Sequence, residues 1–199
     1  MSDLLPRFAF TGHLSAVAPP KGLAGVTLMP CDDLGLATVI ARKGKTAALT
    51  ERVQSLFGTA LPTGPKRVAA GKLAFIGMGP GQWLAVEQGS ADPQAFAADL
   101  TKDLAGLAST SDQSDARAVI RVSGPAARLA LAKGLPVDLH PRVFGPGDSA
   151  LTQIALIGAQ IWQIDEAPTY DIAVFRSLAG SFADWLIASA AEFGIATMS

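Results

Sequence analysis

The sequence predicts an α+β protein made of two pseudo-symmetric units, each with the element order strand–helix–strand–strand–helix. Three observations support this class: β-branched or alternating stretches typical of strands, segments with apolar residues at helical spacing, and glycine or proline at the junctions. The same order occurs in both halves of the chain, with an extra strand in the second half. Two such units commonly pair their sheets, so we expect one α+β body.

The first half comprises residues 34–108. Its predicted elements are, in chain order, a strand over 34–41, a helix over 45–57, strands over 72–77 and 82–87, and a helix over 93–104. The first helix has its apolar residues at helical spacing and is followed by Gly58, a common helix stop. The two later strands flank the glycine- and proline-rich segment 78–81, which indicates a hairpin. Asp92 is the expected cap of the second helix, whose first residue, Pro93, suits the first turn.

The second half comprises residues 109–199. Its predicted elements are a strand over 116–122, a helix over 123–133, strands over 149–157 and 160–164, a strand over 170–175, and a helix over 181–193. The middle pair of strands is expected to turn at Gly158 and Ala159. Residues 135–147 contain three prolines and are therefore predicted to be a structured loop.

Residues 1–33 contain many prolines and glycines and show no sustained hydrophobic period. We therefore expect them to form an irregular amino-terminal arm that wraps the body of the protein or a partner. The remaining residues, 34–199, are expected to form a single domain whose two halves are 34–108 and 109–199.

Composition argues against several classes of partner. Sixteen Lys and Arg residues against seventeen Asp and Glu give a net charge of −1, and no segment is strongly basic, so no nucleic-acid partner is expected. The apolar stretches fall short of the roughly 18 residues of a membrane helix, so no membrane partner is expected either. The amino terminus lacks the pattern of a secretory signal, and a single cysteine cannot form an intramolecular disulfide, so the expected location is cytoplasmic.

Residues that could carry catalysis are few. The chain has two histidines and one cysteine without metal-ligand spacing, and no serine lies in a nucleophile elbow. The glycine-rich segment 77–81 lacks the ending of a phosphate loop and precedes a strand, which favours a hairpin turn. Cys31 is expected to fill space rather than to act as a nucleophile. We therefore predict no catalytic, cofactor-binding or metal-binding residue in this chain.

The most distinctive segment is the loop 138–147, Asp-Leu-His-Pro-Arg-Val-Phe-Gly-Pro-Gly. Its prolines fix their own φ and push the preceding residues towards extended geometry, so the loop should be stiff. It contains His140, Arg142 and Phe144, and arginine and aromatic residues dominate interface hot spots. We predict these three residues as candidates for a subunit interface. The alternative is that Phe144 fills the core while Arg142 is solvated.

A set of short motifs connects the second half to a known family. They are Asp-Gln-Ser at 112–114, Ser-Gly-Pro at 123–125, Lys-Gly at 133–134, Asp-Leu-His-Pro-Arg-Val-Phe at 138–144, Pro-Thr-Tyr-Asp at 168–171, Arg-Ser at 176–177 and Trp-Leu at 185–186. With these motifs, residues 112–194 closely resemble the sarcosine oxidase gamma subunit family. The first 110 residues match mainly through a Gly-Pro-Gly-x-Trp hairpin that ends at Trp83.

The resemblance implies a fold related to the folate-binding part of aminomethyltransferases. It also implies an enzyme of four different chains that oxidatively demethylates sarcosine to glycine, with tetrahydrofolate as the one-carbon acceptor. In such an enzyme FAD, FMN, NAD and tetrahydrofolate belong to the partner subunits. The gamma chain would be non-catalytic and would pack against the alpha subunit, with beta and delta subunits completing the complex.

A second function remains open at this point. A stand-alone folate-binding or aminomethyltransferase-like protein would need an acidic residue to hold the pterin, and Asp171 or Glu166 could serve. Such proteins usually carry a long carboxy-terminal barrel domain and a recognisable catalytic aspartate segment, neither of which is found in this sequence. The fold alone does not decide between the two functions.

Overall fold

The computed structural model describes residues 8–198 and contains, within that range, eleven strands and four α-helices. The strands are β1 (Val26–Pro30), β2 (Leu34–Ala41), β3 (Arg67–Ala70), β4 (Leu73–Gly79), β5 (Gln82–Gln88), β6 (Ala108–Asp112), β7 (Arg117–Ser123), β8 (Ser149–Ile154), β9 (Ile157–Gln163), β10 (Tyr170–Phe175) and β11 (Ile195–Thr197). The helices are α1 (Thr46–Phe57), α2 (Pro93–Asp103), α3 (Ala127–Ala132) and α4 (Ala179–Ala190). The predicted α+β class is confirmed.

The strands form two sheets, one for each half of the chain. The first sheet has the order β3-β4-β5-β2-β6, and the second has the order β11-β1-β7-β10-β9-β8. Neighbouring strands are antiparallel except for β1 and β11, which are parallel. Both halves follow the chain order strand, helix, three strands, helix, strand, from β2 to β6 and from β7 to β11. The two units therefore match element by element.

Three hydrophobic clusters show how the sheets and helices are layered. One cluster joins the first sheet to α1 and α2, and another joins the second sheet to α3 and α4. The third lies between the sheets, where Leu36 and Leu84 of the first sheet meet Trp162 of the second. The body is thus four layers deep, with a helix pair on each outside and the two sheets face to face.

Several local signals act as the sequence predicts. The Asp92 carboxylate accepts hydrogen bonds from the N–H groups of Gln94 at 3.1 Å and Ala95 at 3.0 Å, which caps α2. Gly58 ends α1 with a φ of 66°, in the left-handed region that favours glycine. The glycine-rich segment between β4 and β5 is a hairpin connection, as expected.

The predicted irregular arm is wrong for its last part. Val26–Pro30 forms β1, which lies between β7 and β11 in the second sheet. Val26 and Leu28 alternate into the core and are fully buried. A strand of five residues that ends in proline is too short to show a period in the sequence. Residues 1–7 of the predicted arm lie outside the described residues.

Two other details differ from the prediction. The hairpin of β8 and β9 turns at Ala155 and Leu156, both with positive φ (48° and 70°), and not at Gly158 and Ala159. The strands β3, β6 and β11 were not expected. With them each half contains, within the described residues, five strands, β2 to β6 and β7 to β11, so the prediction of an extra strand in the second half is wrong. Because β6 begins at Ala108 and pairs with β2, the predicted boundary between the halves at 108/109 falls inside a strand of the first sheet.

Candidate subunit interface

The loop that precedes β8 is held by its own short side chains. The Asp138 carboxylate accepts a hydrogen bond from the backbone N–H of His140 at 2.8 Å, and His140 Nδ1 accepts one from the N–H of Arg142 at 3.2 Å. The His140 carbonyl in turn accepts from the N–H groups of Val143 and Phe144. These bonds, added to the two prolines, fix the backbone that the sequence predicted to be stiff.

The far end of the loop is anchored by Asp148. Its carboxylate accepts a hydrogen bond from the Gly145 N–H at 2.9 Å and pairs with the Lys66 ammonium group. Burial would raise the pKa of Asp148, but these two hydrogen bonds outweigh it and hold the pKa below its usual value. Because Lys66 belongs to the first half, this pair also links the loop to the other sheet.

The three residues predicted for an interface separate into two kinds. His140 and Arg142 are exposed, as a docking role requires. Phe144 is only 5% exposed and its ring packs against Tyr170, with 6.4 Å between the ring centroids. The Phe144 side chain is therefore part of the core and is not exposed for contact with a partner. This corrects that part of the prediction. Val143, which the sequence analysis did not select, is 62% exposed beside Arg142.

A buried ion pair lies on neighbouring strands of the second sheet. Arg121 on β7 and Asp171 on β10 are direct cross-strand partners, and the guanidinium binds both carboxylate oxygens, at 2.7 and 2.9 Å. Asp171 is 2% exposed. Each of its two oxygens thus accepts a hydrogen bond within the chain, which argues against a role in holding a pterin ring. Glu166, the other acidic candidate, lies in an exposed loop.

The lone cysteine lies in a cleft of about 360 Å³ that is lined by residues of both sheets. Burial, together with the nearby Asp171 carboxylate, raises the pKa of the Cys31 thiol to about 12, while Arg121 opposes the shift. The thiol is therefore protonated at neutral pH, which does not suit a nucleophile. Among residues 8–198, no group of three or more His, Cys, Asp or Glu residues is placed to hold a metal ion.

No helix in the described part of the chain is long and apolar enough to cross a membrane. The exposure of His140, Arg142 and Val143 points to a candidate surface made of the 138–147 loop. It offers one imidazole, one guanidinium and one aliphatic side chain on a backbone that is already ordered. Such a surface can bind another protein without a large loss of loop entropy.

Sequence reasoning missed the Arg121–Asp171 pair. The signal that could have found it is an arginine in the middle of the largely buried strand β7 and an aspartate in the otherwise apolar strand β10. A charge in a buried strand needs a partner, and only the register of the two strands shows which one.

The architecture is shared with a solved aminomethyltransferase. The glycine cleavage system aminomethyltransferase T from Bartonella henselae superposes with a TM-score of 0.64 at 16% identity, over 88% of this chain and 48% of that one. This similarity establishes the fold and no more. The protein is thus of the aminomethyltransferase-like, folate-binding-like fold class.

The family follows from closer similarities. The family model described as Sarcosine oxidase, gamma subunit family matches residues 43–192. The sarcosine oxidase subunit gamma of Corynebacterium sp. strain P-1 is 36% identical over 153 residues, which are 75% of this chain and 71% of that protein. That of Arthrobacter sp. is 30% identical over 192 residues, with 94% and 91% covered. The chain belongs to the sarcosine oxidase gamma subunit family.

A solved structure of the same family agrees. A chain of the heterotetrameric sarcosine oxidase from Corynebacterium sp. U-96, solved in complex with pyrrole 2-carboxylate, superposes with a TM-score of 0.80 at 27% identity. The match covers 98% of this chain and 100% of that one.

Proposed function

We propose that this chain is the non-catalytic gamma subunit of a heterotetrameric sarcosine oxidase and assembles with the alpha subunit, in a complex completed by beta and delta subunits. The observation that carries the proposal is the end-to-end match to a chain of such a complex, at a TM-score of 0.80. The complex would oxidatively demethylate sarcosine to glycine, an oxidation of a CH–NH group with oxygen as acceptor, in the cytoplasm. Tetrahydrofolate would receive the one-carbon unit.

The cofactors of this reaction, FAD, FMN, NAD and tetrahydrofolate, are assigned to the partner subunits. Two observations on this chain support that assignment. The Asp171 carboxylate is bound by Arg121 on both oxygens, and the Cys31 thiol is kept protonated by burial. Neither of these two side chains therefore offers an unpaired charge to a cofactor. The proposed role of the chain is to provide a rigid binding surface for the partner subunits.

That surface includes the 138–147 loop, with His140 and Arg142 as contact residues and Val143 between Arg142 and the core residue Phe144. The Asp138 and Asp148 carboxylates fix the loop backbone before binding, so little conformational entropy is lost on docking. An exposed guanidinium can form paired hydrogen bonds to a carboxylate of the partner.

The test is purification of the tagged full-length chain from its native host. Identified sarcosine oxidase subunits should co-purify with it, and the complex should show flavin absorbance. Replacing Arg142 with alanine should weaken binding of the alpha subunit by about 2 kcal/mol, roughly thirtyfold. Arg52→Ala, which removes an exposed arginine on α1, is the matched control and should assemble as the wild type does.

A wild-type chain that purifies without partner subunits would contradict the proposal. Normal assembly of Arg142→Ala would leave the subunit role standing and would move the interface away from this loop. A second candidate, a stand-alone folate-binding or aminomethyltransferase-like protein, rests on the shared fold with aminomethyltransferase T. The Arg121–Asp171 ion pair argues against this second function, because it engages one of the two acidic residues considered for holding the pterin.

A further inference from the structure

The strand β8 is the outermost strand of the second sheet, and its register shows which backbone groups are free. The N–H of Gln163 donates to the carbonyl of Asp148 at 3.0 Å, and the ladder then runs to the hairpin turn after Ile154. In an antiparallel pair, alternate residues exchange hydrogen bonds with the partner strand. Leu151 and Gln153 therefore direct their N–H and C=O groups away from β9.

The chain itself covers this edge at both ends. The N–H of Ser149 donates to the Pro65 carbonyl, and the N–H of Ala155 donates to the Gly134 carbonyl, each at 3.0 Å. Between these two bonds lie six residue steps, about 20 Å of extended chain. We call the stretch from Leu151 to Gln153 the β8 window. It is three residues long, about 10 Å of extended chain.

Within residues 8–198, no hydrogen bond is formed by the N–H groups of Leu151 and Gln153. The Gln153 carbonyl receives only a long contact of 3.5 Å from the Thr152 hydroxyl. Two donors and two acceptors thus stand in strand register along the window. A backbone in extended conformation is the group that satisfies such a set, as in strand addition to a sheet edge.

The side chains of β8 do not prevent another strand from pairing with this edge. Exposed edges usually carry charges, proline or a bulge that prevent pairing with another chain. The sequence of β8, Ser-Ala-Leu-Thr-Gln-Ile, has none of these, and Leu151 is 56% exposed. The opposite case is β6, the edge of the first sheet, whose exposed side chains are serine and aspartate. The two edges are therefore built differently.

An apolar groove adjoins the window. Its volume is about 540 Å³, and Leu151 forms part of its wall together with Trp83, the segment 62–65 and the segment 77–81. None of the residues that line it has an ionisable side chain. A strand placed beside β8 would project alternate side chains over this groove. An uncharged side chain suits this groove, because none of its lining residues could pair with a charge.

We propose that an extended, uncharged segment of another subunit adds a short strand to β8 at the β8 window and places an apolar side chain in the adjoining groove. This rests on the proposed function, since it names where such a complex is joined. The occupant is not a second copy pairing through its own β8. The open edge of β8 carries Pro65 and Gly134 at its two ends, so a second β8 would have to enter between them with its own pair of flanking segments attached.

The direct test is amide hydrogen exchange of the full-length wild-type chain, alone and in the complex purified from its host. The amides of Leu151 and Gln153 should exchange at least about tenfold more slowly in the complex, because hydrogen-bonded strand amides are protected. Amides of β6 should not change. Unchanged exchange at the window in an assembled complex would overturn the inference while the proposed function stands.

A pair of variants separates the backbone from the side chain. Gln153→Pro removes the outward N–H at an edge position where proline is tolerated, and Gln153→Ala keeps it. Assembly with the identified sarcosine oxidase subunits should fall about tenfold or more for the proline variant, and stay unchanged for the alanine variant. Equal assembly of both variants with the wild type overturns the inference.

Two further outcomes also count against it. A wild-type chain that does not assemble overturns both this inference and the proposed function. A partner-free chain that dimerises and protects the window amides on doing so shows that the occupant is a second copy. If the free Gln153→Pro chain melts well below the wild type, the exchange measurement on the wild type decides.

Discussion

At the scale of single residues, the polar interior is organised around the Arg121–Asp171 pair. Its two hydrogen bonds satisfy both carboxylate oxygens of a residue that is 2% exposed, and breaking such a pair costs far more than an exposed pair contributes. The sequence shows both residues but not the pairing, because fifty positions separate them and only the register of β7 with β10 brings them together.

The same residues influence Cys31 and give a test by chemistry. Burial raises the Cys31 pKa to about 12, so in the folded chain the thiolate fraction at pH 8 is about a thousandfold below that of an ordinary cysteine. We expect alkylation by iodoacetamide to be slower by two to three orders of magnitude in the folded chain than in urea. Because the chain has one cysteine, mass spectrometry of the intact protein measures the rate of Cys31 alkylation directly.

The pH dependence has a definite sign. Folding disfavours the charged thiolate, so the folded-state pKa is raised, and alkylation should keep accelerating above pH 9 instead of levelling off. The stability contributed by this difference is present below the unfolded pKa, and is lost as the pH rises towards 12. A rate that levels off near pH 9 in the folded chain would show that Cys31 has an ordinary pKa.

At the scale of elements, the sequence is most informative where a local signal decides the outcome. Asp92 followed by proline starts α2 and Gly58 stops α1, since caps and left-handed glycines act within one turn. The strands β1, β3 and β6 are five residues or shorter. β1 and β6 are stabilised by pairing with distant strands, and β3 by pairing with the neighbouring β4. A strand of five residues or fewer is too short to show a hydrophobic period in the sequence.

In the hairpin of β8 and β9, a glycine in the sequence predicts the wrong position for the turn. A two-residue turn with both φ positive favours Asn-Gly or similar pairs, yet Ala155 and Leu156 occupy it, and the nearby Gly158 lies within β9. Leu156 is 90% exposed, so no packing compensates for its conformation. The turn is held by the register of its strands and by the bond from Ala155 to Gly134.

Relieving this conformation should stabilise the isolated chain. Leu156→Gly places a residue that tolerates a φ of 70° in the turn and should raise the free energy of unfolding by about 1 kcal/mol. Leu156→Ala removes the same exposed side chain but keeps the unfavourable φ, and should change stability little. Urea unfolding of both variants measures the difference. Equal stability of the two variants would mean that the positive φ costs nothing here.

At the scale of the whole molecule, element order alone predicted the doubled architecture, and the matched halves and the fold of aminomethyltransferase T agree with it. The insertion of β1 between β7 and β11 could not be predicted, because it is a contact between the two ends of the chain. For the candidate site, the stiff loop was predictable from its prolines. The burial of Phe144 was not, since it depends on Tyr170 of another strand.

The last prediction concerns what remains of ligand binding in a chain with this fold. The acidic residue considered for holding a pterin, Asp171, is bound here by Arg121 on both carboxylate oxygens. We therefore expect the partner-free chain to bind a reduced folate with a dissociation constant weaker than about 10 μM, roughly −7 kcal/mol. Calorimetric titration of the purified chain checks this. Binding at or below that constant would favour the stand-alone folate-binding protein, and its loss in Asp171→Asn, at unchanged stability, would assign the pterin to that carboxylate.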